Sequence, residues 1–332
     1  MAIALAQIVL GLGISHSPQV SLPPDTWAAY AARDPNTFFP LLYKRKVWQY
    51  DDLVAARADQ GIAERINEEA FAALYDRVQA GVADLASALK KAHPDVLVVI
   101  GDDHHEVYSA DSMPTFAVFW GSEVDSIPPA EIFPAVRPAA WALFGEKRET
   151  YPCHAELGEH VIIEMNRAGF DVAQLARQPE GVSVGHPFIM VRTRLMGPDA
   201  PLTPMVPVLV NTYFPPNRPT PLRCWNFGKV LRSVIESFPD DLRVAVIASG
   251  GLSHFVVDED IDRALLAAMQ DRDDDQVAAL ELEDFESGTS ESLCWLVTGG
   301  ACTHLDMKLV EYAPGYRTAG GTGCAMTMVA WS

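Results

Sequence analysis

The chain has 332 residues, 49% of them hydrophobic, which is enough for a sizeable core. Its formal charge is -19, from 44 acidic and 25 basic residues, and no basic run is dense enough for a phosphate backbone, so we expect no nucleic-acid partner. No apolar stretch approaches the roughly 18 residues that span a bilayer, and the N-terminus lacks the basic region of a signal peptide. The five cysteines contain no CxxC pair and indicate reduced thiols in a cytoplasmic protein with no membrane partner.

Helices and strands alternate among the predicted elements. Helices are predicted at 62–92, 152–168, 227–238, 258–272, 274–282 and 291–298, and strands at 8–14, 96–100, 115–119, 204–210 and 243–248. A long helix that leads into a buried apolar strand is typical of an α/β fold. We therefore predict one domain over residues 1–332, with a mixed central sheet, helices on both faces and the functional site at the strand ends.

Residues 22–60 lie outside this alternation and are rich in aromatic side chains: Trp27, Tyr30, Phe38, Phe39, Tyr43, Trp48 and Tyr50. Aromatic residues without a regular period indicate a segment that packs over the body of the protein. Such a segment serves either as a lid over a site or as a contact between copies of the chain, and both interpretations stay open at this point.

Histidines follow three of the predicted strands. His16 lies in ISHSP after the first strand, His104 in GDDHHE after the second, and His254 in SGGLSH after the strand at 243–248. Because parallel strands end at one edge of a sheet, such side chains can meet and bind one metal ion. One histidine at such a junction is more often a hydrogen-bonded structural residue, but three favour a metalloenzyme over a binding module. His186, in VSVGHPF, is a weaker candidate.

The carboxylate partner of these histidines is less well defined. Asp103, Glu106, Asp258 and Glu291 all stand near predicted turns, and the pattern alone does not choose among them. Two imidazoles and one carboxylate with open positions form the facial triad of non-haem Fe(II) oxygenases. Glu291 directly precedes an apolar helix, where a carboxylate is often no more than a favourable capping charge.

His254 is the best candidate for a general acid–base residue, because an imidazole titrates near neutrality. A hydrogen-bonded loop histidine is the alternative interpretation. The two glycines before it, Gly250 and Gly251, let the backbone adopt positive φ and come close to a ligand. Asp102 or Asp103 is placed to hold the second nitrogen of a ligand imidazole.

These motifs together resemble the class III extradiol catechol dioxygenases, of the type of the protocatechuate 4,5-dioxygenase β-subunit. The resemblance runs from about residue 8 to about residue 300 and rests on GISHSP, the strand ending in DDH, and above all SGGLSH. It implies that His16, His104 and Glu291 bind Fe(II) and that His254 is the catalytic acid–base residue. His186 matches a second active-site histidine, although the family's V-D-H-G-F reads V-G-H-P-F here.

The implied reaction is extradiol (meta) ring cleavage by O2 of a carboxylated catechol, such as 3-O-methylgallate, gallate or protocatechuate, in the catabolism of lignin-derived aromatics. Arg317 with its neighbour Thr318, and Tyr213 in a loop similar to one of the family, are the candidate substrate-binding residues. Residues 21–75 are longer than the matching part of the β-subunit, which a separate small subunit covers. We expect this insertion to serve as a lid, in a homo-oligomer that works without a small subunit.

Two alternatives remain at this point. A Zn(II) hydrolase would use the same ligands, with His254 as the base on a metal-bound water. A non-enzymatic, metal-binding relative would have lost one or more site residues, whereas all five matching positions are filled in this chain.

Overall fold

The computed structural model describes residues 5–197 and 200–332. Its strands are, in chain order, β1 (Gln7–Ile14), β2 (Leu41–Tyr43), β3 (Lys46–Trp48), β4 (Val96–Asp102), β5 (Phe116–Phe119), β6 (Glu123–Ser126), β7 (Glu149–Pro152), β8 (Ala173–Leu175), β9 (Met205–Val210), β10 (Arg243–Ser249), β11 (His254–Val256), β12 (Met307–Tyr316) and β13 (Thr322–Trp331). Its α-helices are α1 (Trp27–Ala31), α2 (Tyr50–Ala56), α3 (Glu68–Ala92), α4 (Ala140–Phe144), α5 (Ala155–Arg167), α6 (His186–Met190), α7 (Pro221–Ile235), α8 (Glu259–Asp271), α9 (Asp274–Ala278) and α10 (Ser292–Ala301).

Four parallel strands form the middle of a nine-stranded sheet. β1 lies beside β10, β10 beside β4, and β4 beside β9. Antiparallel neighbours flank this group, with β5 next to β9 and β13 next to β1. β8 pairs with β5, while β11 and β12 both pair with β13. Because the four central strands point the same way, the segments that follow them meet at one edge of the sheet.

Helices cover both faces of the sheet, and β4 shows how the core is divided between them. Val96, Val98 and Ile100 pack on one face, in the cluster that includes α5, α7 and α10. Leu97 and Val99 pack on the other face, in the cluster that includes α3. A strand buried on both faces needs an unbroken apolar run, as its sequence has. The predicted α/β class, with a mixed sheet between helices, is therefore confirmed.

Several predicted helices shift at their ends because capping residues decide the boundary. The helix predicted from residue 62 begins at Glu68, where the side chain of Asn67 accepts a hydrogen bond from the Ala70 amide. The helix predicted from residue 227 begins earlier, at Pro221, after the capping residue Thr220. No helix in residues 5–197 and 200–332 is long and apolar enough to cross a membrane.

The long C-terminal hairpin of β12 and β13 was not predicted. β12 contains Pro314, which breaks a typical strand pattern. In the structure β12 pairs with β13 alone and lies at an edge of the sheet. An edge strand needs ladder hydrogen bonds on one side only, so it tolerates a proline. β13 is buried along most of its length and runs next to β1, so the hairpin becomes part of the wall beside the first histidine.

Candidate functional site

The ends of the parallel strands bring the predicted site residues together. His16 follows β1 and Asp102 ends β4, while Ser249 at the end of β10 is paired with Ile14 in the sheet. The Nδ1 atom of His16 lies 3.4 Å from the hydroxyl of Ser249. His104 follows two residues after the end of β4. The placement of these side chains at one sheet edge therefore follows from the direction of the strands.

Glu291 reaches the same point from the turn that leads into α10. Its Oε2 atom lies 2.8 Å from His16 Nε2 and accepts a hydrogen bond of 2.7 Å from the Gly251 amide. Its Oε1 atom accepts a 2.6 Å hydrogen bond from the Tyr213 hydroxyl. Burial disfavours a charge here, but His254 and His16 outweigh it and hold the pKa of Glu291 well below its usual range. Burial and the neighbouring Glu291 raise the pKa of Tyr213, so the phenol stays protonated and donates.

The geometry fits a bound cation. Ligand atoms of His16, Asp102 and Glu291 all lie within 4.8 Å of one another, and all three side chains are buried. His104 Nε2 lies 2.6 Å from Asp102 Oδ2 and 3.8 Å from Glu291 Oε1. Although these distances are short, the contacts of His16 Nε2 and of both Asp102 carboxylate oxygens lack hydrogen-bond geometry, so these atoms form no hydrogen bond with the described residues. Buried polar atoms that lie close together without a directed hydrogen bond are costly, and a metal ion between them removes that cost.

The imidazole of His254 lies against this cluster and is enclosed by glycines. Its Nδ1 atom lies 2.7 Å from the Leu252 carbonyl and its Nε2 atom 3.1 Å from Glu291 Oε1. Burial lowers the pKa of His254, but the charge of Glu291 outweighs it, so the net shift is upward. Neither Gly250 nor Gly251 adopts the positive φ that glycine allows. The close approach of this backbone to a ligand stays a prediction; the structure shows a close approach to His254, because a Cβ on Gly251 would lie 2.5 Å from its ring.

His186 stands at the start of α6, with its ring edge-on to two other histidines. Its ring centroid lies 4.5 Å from that of His16 and 5.1 Å from that of His104. Glu106 Oε1 lies 3.3 Å from His186 Nδ1, and Glu106 Oε2 accepts a hydrogen bond from the His104 amide. The residue before His186 is a glycine, which cannot provide the carboxylate of the family's V-D-H-G-F motif. Glu106 makes a carboxylate contact with His186 instead. His105 points elsewhere and stacks on Phe214, in the loop after β9, with ring centroids 3.8 Å apart.

A cavity of about 280 Å³ opens over these side chains. Two of the three substrate-binding candidates, Tyr213 and Arg317, line it. The third, Thr318, does not, and its hydroxyl lies 2.8 Å from that of Thr322. The rest of the lining is mainly apolar or aromatic: Pro18, Tyr30, Phe39, Val136, Leu143, Phe144 and Phe255. Such a lining suits a planar aromatic ligand with a few polar anchors.

The insertion at residues 21–75 contributes part of this lining. Tyr30, Arg33 and Phe39 all face the cavity. Phe39 stacks on Phe255, next to the catalytic candidate His254, with ring centroids 3.9 Å apart. The segment is also part of the core, because Trp27 is fully buried in the cluster that includes Leu12 and Val99 of the central sheet.

Three site contacts escaped the sequence patterns. Asp102 was expected only to hold a ligand imidazole, and it lies within the candidate cation group itself. Glu106 was one of four alternative carboxylates, and its contact with His186 joins loops 80 residues apart. Arg33 carried no motif at all, and its only sequence signal was its place in the aromatic-rich segment.

Comparison with known proteins agrees with this geometry. Residues 66–304, more than half of the chain, match the family described as the catalytic LigB subunit of aromatic ring-opening dioxygenase. This range contains four of the five site residues carried over from the resemblance, and His16 lies before it. The gallate dioxygenase of Pseudomonas putida is 34% identical over 115 residues, which are 34% of this chain and 32% of that protein.

Two further relatives bear the name 2,3-dihydroxyphenylpropionate/2,3-dihydroxicinnamic acid 1,2-dioxygenase. The protein from Comamonas testosteroni is 26% identical over 181 residues, covering 53% of this chain and 48% of that protein. The protein from Mycobacterium ulcerans is 26% identical over 182 residues, covering 54% and 50%. The matches thus span about a third to a half of the length of these relatives. On the strength of the family match and the site geometry, the chain belongs to the family of the catalytic subunit of aromatic ring-opening dioxygenases.

Proposed function

We propose that this protein is an Fe(II)-dependent extradiol dioxygenase that opens the ring of a carboxylated catechol. The observation that carries the proposal is a group of close ligand atoms under the cavity: those of His16, Asp102 and Glu291 lie within 4.8 Å of one another, and His104 Nε2 lies 3.8 Å from Glu291 Oε1. Buried polar atoms of His16 and Asp102 are left without hydrogen bonds. Two imidazoles and one carboxylate form the ligand set that non-haem Fe(II) oxygenases use.

His16, His104 and Glu291 would hold the metal in this proposal. When bound, Fe(II) supplies open positions for the two catechol oxygens and O2, together with a path for electrons between them. Asp102 lies against His104 and adds a negative charge that favours a cation at this place. The Gly251 amide and the Tyr213 hydroxyl fix the two oxygens of Glu291, so the carboxylate is held in one orientation.

His254 would move the proton that the reaction requires. Its Nδ1 atom faces the Leu252 carbonyl and is held as a donor, so Nε2, which lies 3.1 Å from Glu291 Oε1, is the atom that would exchange a proton with a phenolic oxygen. His186 lies beside His16 and in contact with Glu106, where it would contact the reacting ring. The apolar cavity wall would exclude water from this space.

The relatives and the cavity both support a carboxylated catechol as the proposed substrate class. Gallate and 2,3-dihydroxyphenylpropionate, the substrates in the names of the relatives, both carry a carboxylate beside vicinal hydroxyls. We propose 3-O-methylgallate, gallate or protocatechuate as substrates of this chain. In a protein with a formal charge of -19, an anionic ligand needs a local cation, and the cavity lining contains two arginines.

The single domain would work without a separate covering subunit. Tyr30, Arg33 and Phe39, all from the insertion at 21–75, line the cavity, and Phe39 stacks on Phe255 beside the site. These contacts support the interpretation of the insertion as a lid.

The proposal is tested by anaerobic reconstitution with Fe(II), followed by oxygen uptake and near-visible absorbance with a panel of carboxylated catechols. We expect one O2 consumed per catechol, a new yellow chromophore, and no turnover with Zn(II) in place of iron. No oxygen uptake with any catechol, despite stoichiometric bound iron, would refute the proposal. Hydrolysis of an ester or amide by the Zn(II)-loaded protein would instead identify a hydrolase.

A further inference from the structure

The cavity contains two arginines whose surroundings differ sharply. Arg317 is fully engaged: its Nε and Nη2 atoms lie 3.0 and 3.3 Å from the two oxygens of Asp34, and its Nη1 atom donates to Gln19 at 3.1 Å. Its side chain is only 3% exposed. A guanidinium that binds one carboxylate through two donors has little capacity for a second. Arg317, the predicted cation for the substrate, is thus bound mainly to Asp34 and Gln19.

Arg33 has no comparable partner. Its side chain is 32% exposed, and its closest ionic contact in the described chain is Asp34, with Nε 3.9 Å from Oδ1. No side-chain hydrogen bond of Arg33 occurs among residues 5–197 and 200–332. The guanidinium lies over the ring of Tyr30, 4.0 Å from its centroid, while Arg317 lies near the same ring at 4.5 Å. The aromatic ring orients the guanidinium without using its N–H donors.

The charges in this part of the wall do not cancel. Asp34 is one anion between two cations, and its short contacts all go to Arg317 and Thr322, whose hydroxyl donates to it at 2.7 Å. One positive charge with open donors therefore remains at Arg33. The cavity that holds this arginine and the histidines is lined mainly by apolar side chains, such as Phe39 and Phe144. A ligand that fits this lining combines a hydroxylated aromatic ring with one anionic group.

We propose that Arg33, from the insertion, binds the carboxylate of the substrate and makes the protein selective for anionic catechols. This inference rests on the proposed function, since the catechol end of the ligand would lie at the histidine cluster. Arg317 then has a different role, which is to anchor Asp34 and hold the insertion against the end of β12. Arg33 acts on ligand binding and takes no part in bond making or breaking.

The test compares pairs of catechols in which a methyl group replaces the carboxylate. Protocatechuate is matched with 4-methylcatechol, and 2,3-dihydroxyphenylpropionate with 3-propylcatechol. Dissociation constants are measured by anaerobic calorimetry on the iron-loaded protein, and kcat and KM by oxygen uptake. The variants are Arg33→Gln, Arg33→Lys and a matched control, Arg65→Gln. Arg65 is in the same insertion, outside the cavity lining, in an exposed ion pair with Glu259 at 3.1 Å.

In Arg33→Gln, Kd and KM for the carboxylated members should rise roughly 10- to 100-fold, the range for a hydrogen-bonded charge pair. Both values for the neutral members should stay within about twofold, and kcat should not change. Arg33→Lys should recover most of the affinity because it restores the charge. Arg65→Gln should match the unmodified protein with all four ligands.

Unchanged preference for the carboxylated members in Arg33→Gln overturns the inference, as does an equal loss of affinity for both members of a pair. Arg33-dependent binding of the carboxylated members without oxygen uptake would refute the dioxygenase function but support this role of Arg33. Oxygen uptake with a preference for the carboxylated members that does not depend on Arg33 would support the dioxygenase function and refute this role of Arg33. If neither member of either pair binds, both proposals fail.

Discussion

Gly288 offers a sharp test of the role of His254. The imidazole of His254 lies between two glycines, Gly251 and Gly288. A Cβ added to Gly288 would lie 2.2 Å from Cδ2 and 2.5 Å from Nε2 of the ring, whereas ordinary contacts begin at 3.4 Å. The ring would have to move by about 1.2 Å, and its Cε1 and Nδ1 atoms already lie so close to the Gly251 backbone that even a Cβ on Gly251 would be 2.5 Å from them. The backbone at Gly288 does not have positive φ, so alanine itself causes no strain there.

The size of the effect follows from this displacement. Moving a catalytic group by about 1 Å commonly costs about 100-fold in rate, which corresponds to roughly 2.7 kcal/mol of activation free energy. We therefore expect Gly288→Ala to lower kcat by about 100-fold while the protein still folds. The matched control is Gly320→Ala, because a Cβ there meets its nearest neighbours at 3.4 Å, an ordinary contact.

The assay measures three quantities for each variant: bound iron per chain, melting temperature, and kcat for oxygen uptake. Gly288→Ala should keep its iron and its melting temperature within a few degrees and lose turnover. Turnover within twofold of the unmodified protein, with iron and fold intact, would refute a catalytic role for the position of this ring. Loss of iron in parallel with turnover would instead mean that the displaced ring moved Glu291, 3.1 Å away.

Three further predictions concern stability, pH and the insertion. Asp34→Ala leaves the buried guanidinium of Arg317 unpaired, and we expect a loss of about 3 kcal/mol or more in unfolding free energy by urea titration; a loss under 1 kcal/mol would contradict this. Burial raises the pKa of Asp262 to about 7, above its unfolded value near 4. The folded state then holds the extra proton, so stability should fall as pH rises from about 4 to 7, by up to roughly 1.4 kcal/mol per pH unit, and Asp262→Asn should flatten this slope. Phe39→Ala should raise KM roughly 10-fold by removing apolar contact, whereas Phe38→Ala, at a side chain 88% exposed, should not; equal effects would argue against a lid.

The histidine positions were predictable because they depend on strand direction alone. His16, His104 and His254 each follow a strand of one parallel group, and parallel strands bring such segments to one edge. The position of Glu291 could not be predicted in this way, because the sequence pattern fitted several acidic residues near turns equally well. Only the resemblance chose it, and the structure places its carboxylate 2.8 Å from His16. Composition and period locate strands, but they do not locate one carboxylate among many.

The contacts of Glu106 and Arg33 could not be predicted because they depend on loop conformation. Glu106 meets His186 across 80 residues, through a loop whose course no periodicity describes. Arg33 and Arg317 are nearly 300 residues apart and come together only because β12 and β13 form a hairpin against β1. That hairpin was itself not predicted, so the contacts of the two arginines could not be predicted from the sequence.

The different roles of the two arginines follow from the contacts of one carboxylate, that of Asp34. Asp34 lies in the insertion directly after Arg33, yet its short ionic contacts go to Arg317 on the hairpin. Since a buried arginine needs a partner more than a half-exposed one, pairing Asp34 with Arg317 gives the lower free energy. The same choice leaves the guanidinium of Arg33 with open donors at the cavity wall. Anchoring the insertion and providing a cation for the substrate are thus two results of a single pairing, which is why loss of Asp34 should impair stability and loss of Arg33 should impair selectivity.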